Sequence, residues 1–212
     1  MIDLSFNEHR FFDQGYNRTI LPSQIRMLAL EAISSTHWTD GFPRFADWMI
    51  MPESTKDEQY YEELIRTRYS CGQAPAIIKH IGNSLLDLPF FDNLKNCLVK
   101  PQFHGYRSIR NIIPVGFGIW DGQEPLEFHN DISDTSSFFA LLYFSDWLAQ
   151  APDSQLLLGK RNEYNKIETV ATHNCEDSTM VLINNTSPLF YHSVNRQRDE
   201  GNYCIGIRYR IY

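Results

Sequence analysis

Cysteine is sparse in this chain and follows no pattern. The four thiols, Cys71, Cys97, Cys175 and Cys204, show no CxxC spacing. That argues against a zinc site and against a disulfide frame; they read as reduced, buried thiols. Positive charge is also short: 19 Lys and Arg face 26 Asp and Glu, a formal net charge of −7. Sequence-independent nucleic-acid binding and docking on anionic lipid both depend on basic surfaces, so neither is expected. No run reaches the roughly 18 apolar residues of a membrane span. Met1-Ile2-Asp3-Leu4-Ser5 lacks the basic start and apolar core of a signal peptide. A cytoplasmic protein is the expectation. No internal repeat, low-complexity tract or Pro/Gly/Ser-rich linker divides the chain, and 212 residues suit a single domain, 1–212.

Apolar residues make up 42% of the chain and aromatics 14%, which suggests a β-rich interior or an aromatic-lined pocket. Residues 1–20 show no clear period, and His9 and Arg10 are expected at the surface. A helix is predicted from Leu21-Pro22-Ser23, with Ser23 as cap, through Ile25, Leu28, Ala29 and Ala32 to about Ser35. The aromatic stretch Thr36 to Pro52 (His37, Trp38, Phe42, Phe45, Trp48) reads as a loop packed on a sheet, with a lid over a pocket as the alternative. Ser54 to Glu58 opens a second helix with Tyr60, Tyr61, Leu64 and Ile65 as its stripe. A third runs from Pro75 through Ile77, Ile78, Ile81, Leu85 and Leu86 to Pro89, carrying His80. Residues 1–96 thus read as helical support and loops.

From Cys97-Leu98-Val99 onward, short apolar runs alternate with turn signals. They cover Ile112 to Trp120, Leu126 to Asp131, Phe138 to Phe144, Gln155 to Leu158, Ile167 to Val170, Thr179 to Ile183, Phe190 to Val194 and Tyr203 to Tyr212. Asp121-Gly122, Pro152-Asp153 and Asn184-Asn185 are the clearest turns. The expected fold is mainly β with N-terminal helices, an antiparallel sandwich or barrel over residues 97–212.

The run Leu126-Glu127-Phe128-His129-Asn130-Asp131 places a histidine and a carboxylate two residues apart in a predicted strand. Strand side chains alternate faces, so His129 and Asp131 share one. An imidazole nitrogen and a carboxylate oxygen on one wall suit a borderline metal such as Fe(II). A third ligand would complete two histidines and one carboxylate on one face, leaving the opposite face open. His192, in Leu189-Phe190-Tyr191-His192-Ser193-Val194, is the candidate.

With those residues in place, the segment 97–212 resembles the 2-oxoglutarate/Fe(II)-dependent dioxygenases. Ile119-Trp120-Asp121-Gly122 is similar to the aromatic-turn-glycine hairpin leading into that family's His-x-Asp strand. Leu142-Tyr143-Phe144-Ser145-Asp146-Trp147 and Ser154-Gln155-Leu156-Leu157-Leu158 are similar to segments of its prolyl hydroxylase branch. Leu189-Phe190-Tyr191-His192 followed by Ile207-Arg208-Tyr209 resembles the distal histidine and final strand of its demethylase branch. The resemblance implies a double-stranded β-helix (jelly-roll) of two antiparallel sheets, with His129, Asp131 and His192 holding Fe(II). It also implies 2-oxoglutarate as co-substrate, O2 as oxidant, and hydroxylation as the usual outcome. Desaturation or ring formation stays open, whereas halogenation is disfavoured, because halogenating members carry a small residue where Asp131 stands.

The far carboxylate of 2-oxoglutarate needs a buried cation, and a guanidinium meets it through two parallel hydrogen bonds. Arg208 is the candidate, with Arg210 on the same predicted face and Tyr143 contacting the co-substrate by the resemblance. Many members place this arginine about ten residues after the distal histidine, where this chain has Asn202 and Tyr203. Arg208 follows His192 by sixteen, close to the demethylase spacing. Arg107 and Arg196 are weaker candidates. His173 is expected in an exposed polar turn, a rival third ligand only if the strand count differs; His104 in a loop, with the substrate mouth as the alternative; Trp120 and Trp147 in packing, with Trp120 as an alternative pocket wall. A small molecule, an amino acid or a peptide is the expected substrate. The rival readings are a cupin-like metalloenzyme that does not use 2-oxoglutarate and a non-catalytic jelly-roll binding module.

Overall fold

The computed structural model describes residues 6–38, 41, 43–49, 74–100, 112–131, 137–146, 154–196 and 198–211. The expected helix from Ser54, Cys71, His104, Arg107, Trp147 and the Pro152-Asp153 turn lie outside them. Among the described residues, ten strands form two antiparallel sheets that face each other. The larger takes β1 (Tyr16–Ile20), β8 (Thr179–Asn184), β5 (Phe138–Ser145), β10 (Arg198–Ile211), β3 (Ile112–Gln123) and β2 (Arg44–Met49), in that order. The smaller takes β4 (Leu126–His129), β9 (Phe190–Val194), β6 (Gln155–Arg161) and β7 (Ile167–Asn174). This is the double-stranded β-helix expected from the sequence.

Strand alternation sorts the larger sheet's side chains into two cores. On β5, Phe138, Ala140, Leu142 and Phe144 face the helices, while Phe139, Leu141 and Tyr143 face the smaller sheet. On β10, Tyr203, Ile205, Ile207 and Tyr209 take the helical side and Cys204 the other. The helical layer consists of α1 (Glu8–Gln14), α2 (Ser23–Ser35), α3 (Ala76–Leu86) and α4 (Pro89–Leu98). Helix α3 buries Ile78, Ile81 and Leu85, residues spaced at the helical repeat.

The first fifty residues do more than the expected buttressing. Helix α1 is capped by Asn7, whose side-chain oxygen accepts from the Arg10 amide at 2.8 Å, and it ends at Gly15 with φ 86°. A Cβ at Gly15 would sit 2.3 Å from the Phe190 ring, so only glycine fits this turn. The chain then enters β1, which pairs with β8 from Tyr16–Ile183 to Ile20–Thr179. Strand β2 closes the opposite edge against β3. Both lie in stretches expected to hold no strand.

Four local expectations are corrected. Cys97-Leu98-Val99 is not a strand: it closes α4, whose buried Phe90, Phe91, Leu94, Cys97 and Leu98 form a helical stripe. Pro89 opens that helix rather than stopping the one before, since proline's fixed φ and missing N–H suit a first turn. Asp121-Gly122 is not a turn. Strand β3 runs through it to Gln123, and the Asp121 carboxylate is fully buried, accepting from the Gly201 amide at 2.8 Å and from Arg44. Ser23 is the first helical residue of α2 rather than its cap; Pro22 occupies the cap position, without a side-chain hydrogen bond.

Candidate active site

Strands β3 and β4 belong to different sheets, so Glu124-Pro125 carries the chain across the sandwich. Pro125 has no N–H to continue the β3 ladder. The crossing delivers β4 to the edge of the smaller sheet, where His129 pairs with His192 of β9. The two imidazoles are 4.2 Å apart between ring centres, tilted 55°. Asp131 lies just past β4, with its Oδ2 3.4 Å from His192 Nε2. One donor atom from each of the three residues falls within 4.8 Å of the others.

The ring orientations suit a metal. His129 Nδ1 lies 2.8 Å from the Glu127 carbonyl. Donation to that oxygen puts the proton on Nδ1 and leaves the Nε2 lone pair free. Burial pushes the His192 imidazole down to about 4; the Asp131 carboxylate opposes this shift, and the neighbouring His129 and Arg208 add to it. His192 is therefore neutral at physiological pH, the form that ligates. Two imidazoles and a carboxylate are a fitting donor set for Fe(II), with room left on one side.

These residues sit in a cleft of about 170 Å³ between the sheets, also lined by Trp120, Gln123, Phe139, Leu141, Tyr143, Cys204 and Arg208. Arg208 directly opposes Phe139 across the β10–β5 ladder, and its guanidinium carbon lies 4.7 Å from the centre of that ring. Its Nη1 is buried without a hydrogen-bond partner. A buried guanidinium nitrogen with no acceptor costs free energy that an incoming carboxylate would restore.

Tyr143 lines the same cleft but pairs with Cys204, four residues from Arg208, or about 13 Å along the strand. Arg210 lies past an irregularity in the β10–β3 pairing after Arg208, and it is not among the residues lining the cleft. Arg196 is exposed. His173 is not in an exposed turn: it lies on β7 with its ring 5.0 Å from Tyr16 and its Nε2 buried. Trp120 is a wall of the cleft. Its indole covers the cross-strand pair Gly118–Gly206, where a Cβ would meet it at 2.5 and 2.6 Å.

Sequence reasoning did not single out Phe139, although its signal was present. It lies four residues from Tyr143, so the two share a strand face. A larger hollow of about 630 Å³ lies between α2 and α3 and shares no lining residue with the cleft.

No family model matches the chain, and no curated protein aligns with it. Solved structures do. A prolyl-4-hydroxylase from Pseudomonas putida superposes with a TM-score of 0.52 at 14% identity, covering 96% of this chain and 97% of that one. The non-heme alpha-ketoglutarate-dependent epimerase SnoN from nogalamycin biosynthesis gives 0.51 at 11% identity, covering 96% and 80%. This chain therefore has the fold of the 2-oxoglutarate- and Fe(II)-dependent oxygenases. No helix among the described residues is long and apolar enough to cross a membrane.

Proposed function

We propose that the protein is an Fe(II)- and 2-oxoglutarate-dependent oxygenase, acting as a hydroxylase on a small molecule, an amino acid or a peptide. One observation carries this reading. Three metal-ligating groups converge in a cleft whose facing wall presents a buried arginine nitrogen without a partner. His129, Asp131 and His192 would hold the iron, which when bound supplies the centre for O2 activation. The chain's own groups do the rest. Arg208 binds the far carboxylate and orients the oxo acid toward the triad. Tyr143 and Trp120 bound the apolar part of the cleft and exclude water from it. The overall reaction balances as substrate C–H plus O2 plus 2-oxoglutarate giving C–OH plus succinate plus CO2. The negative net charge speaks against a nucleic-acid substrate.

Anaerobic titration with Fe(II) and then 2-oxoglutarate tests the reading. The expected result is a weak visible absorption band that needs both additions and is lost in His129→Ala. Arg208→Met should leave metal affinity unchanged and weaken 2-oxoglutarate binding by roughly 10- to 100-fold, the scale for losing a charge-assisted pair. Equal binding by Arg208→Met and wild type would reject the assigned anchor and favour a metalloenzyme of another kind. The substrate is to be sought by incubating the loaded protein with metabolite extract, scoring succinate release and a mass gain of one oxygen.

A further inference from the structure

We infer that Phe139 is a positioning residue that fixes the distance between the metal triad and the carboxylate anchor, and so selects the chain length of the 2-oxo acid. The inference rests on the reading of this cleft as a 2-oxo acid site. Phe139 lies beside both ends of that site. One side of its ring carries the Arg208 guanidinium, 4.7 Å from the ring centre. Its centre is 6.4 Å from that of His192 on the other sheet. The ring itself has little freedom. Phe139 is 4% exposed, and the bare backbone of Gly206 receives one of its edges, 2.8 Å from where a Cβ would stand.

Arg208 has no hydrogen bond from Nη1 to hold its head in place. The contact with the aromatic face takes that part, because a cation over a ring is attracted by its quadrupole and the flat guanidinium stacks on it. Direct pairing across the β10–β5 ladder keeps the two side chains adjacent. The guanidinium fork is thus held at one distance from the triad, with donors free to meet a carboxylate. Each methylene added to a dicarboxylate moves its far end by roughly 1.3 Å. A fixed anchor therefore discriminates among homologues, whereas a loose arginine on its flexible stem follows the ligand.

The test measures equilibrium binding of three acids to the Mn(II)-loaded protein: oxaloacetate, 2-oxoglutarate and 2-oxoadipate, with four, five and six carbons. Wild type should prefer 2-oxoglutarate over either homologue by at least about tenfold. Phe139→Leu keeps an apolar side chain but removes the ring. It should flatten that preference to within about threefold, with Mn(II) affinity unchanged. Phe139→Tyr keeps the aromatic face and should retain the preference. If Phe139→Leu binds 2-oxoglutarate weakly but discriminates as wild type does, the residue is merely structural and the inference is wrong. If wild type binds none of the three acids, the oxygenase reading fails and this inference with it. If wild type binds all three equally, only the length-gauge idea fails.

Discussion

At the scale of single residues, the informative groups are buried polar atoms that the fold leaves without a partner. Such an atom typically costs about 1–3 kcal/mol. Arg208 Nη1 is one of them; Arg208 lines the cleft, where the proposed carboxylate would supply its acceptor. His173 Nε2 lines no part of that cleft. Its imidazole is pushed down to about 4, first by burial and then by the charges of Arg18 and Arg10, with Glu176 opposing. The unfolded chain takes up that proton near the ordinary histidine value of about 6.5. The folded protein therefore holds its full stability above that pH and loses it progressively as pH falls toward 4. His173→Gln cannot gain the charge, so its stability should fall less between pH 7 and pH 5. His192 titrates over the same window in metal-free protein, but it does so in both proteins and cancels in the comparison. Urea midpoints at the two pH values provide the check; equal losses in both proteins would mean that His173 is solvated.

At the scale of elements, legibility followed the length of the pattern. Strands β5, β8 and β9 were readable almost to the residue, because short, nearly continuous apolar runs, buried on both faces, ended in turn residues. Helices α2 and α3 were readable because several turns repeated the stripe. Helix α1 and strand β1 were not: seven and five residues give too few repeats to reveal a period. Their place in the fold is nevertheless firm. Phe11 of α1 is fully buried, with its ring centre 5.3, 5.2 and 5.5 Å from those of Phe6, Phe12 and Phe138. Phe11→Ala should cost about 3–5 kcal/mol, the usual loss for emptying a buried phenylalanine site. Chemical denaturation measures it; a loss under about 1 kcal/mol would show α1 to be an appendage. A missed element of this kind carries weight beyond itself, since β1 protects the edge of β8 and Gly15 gives Phe190 its seat.

At the scale of the whole molecule, the candidate site belongs to neither sheet alone. His129, Asp131 and His192 stand on the smaller sheet and just beyond its edge; Arg208 and Phe139 stand on the larger. The sequence could reveal the first group because a strand's alternation sets His129 and Asp131 locally. His192 and Arg208 came from strand-like runs that resemble a known family, with Arg208 on a predicted inward face. The contact of Phe139 with both sides arises only when two sheets stack, and no spacing along one chain segment encodes it. This division predicts how ligands stabilise the fold. On the proposed reading, Mn(II) alone would be held by the smaller sheet's His129, Asp131 and His192, and 2-oxoglutarate alone would meet Arg208 on the larger. With both present, the acid would be held from both sheets at once. Ligand at a hundred times its dissociation constant adds about 2.7 kcal/mol. In a chain of this size that raises the melting temperature by roughly 5–10 °C. The rise with both ligands should exceed the sum of the separate rises, and Arg208→Met should lose the excess while keeping the rise from Mn(II). Strictly additive rises in the wild-type protein would mean that the two ligands do not touch, and the cleft would not then be one site.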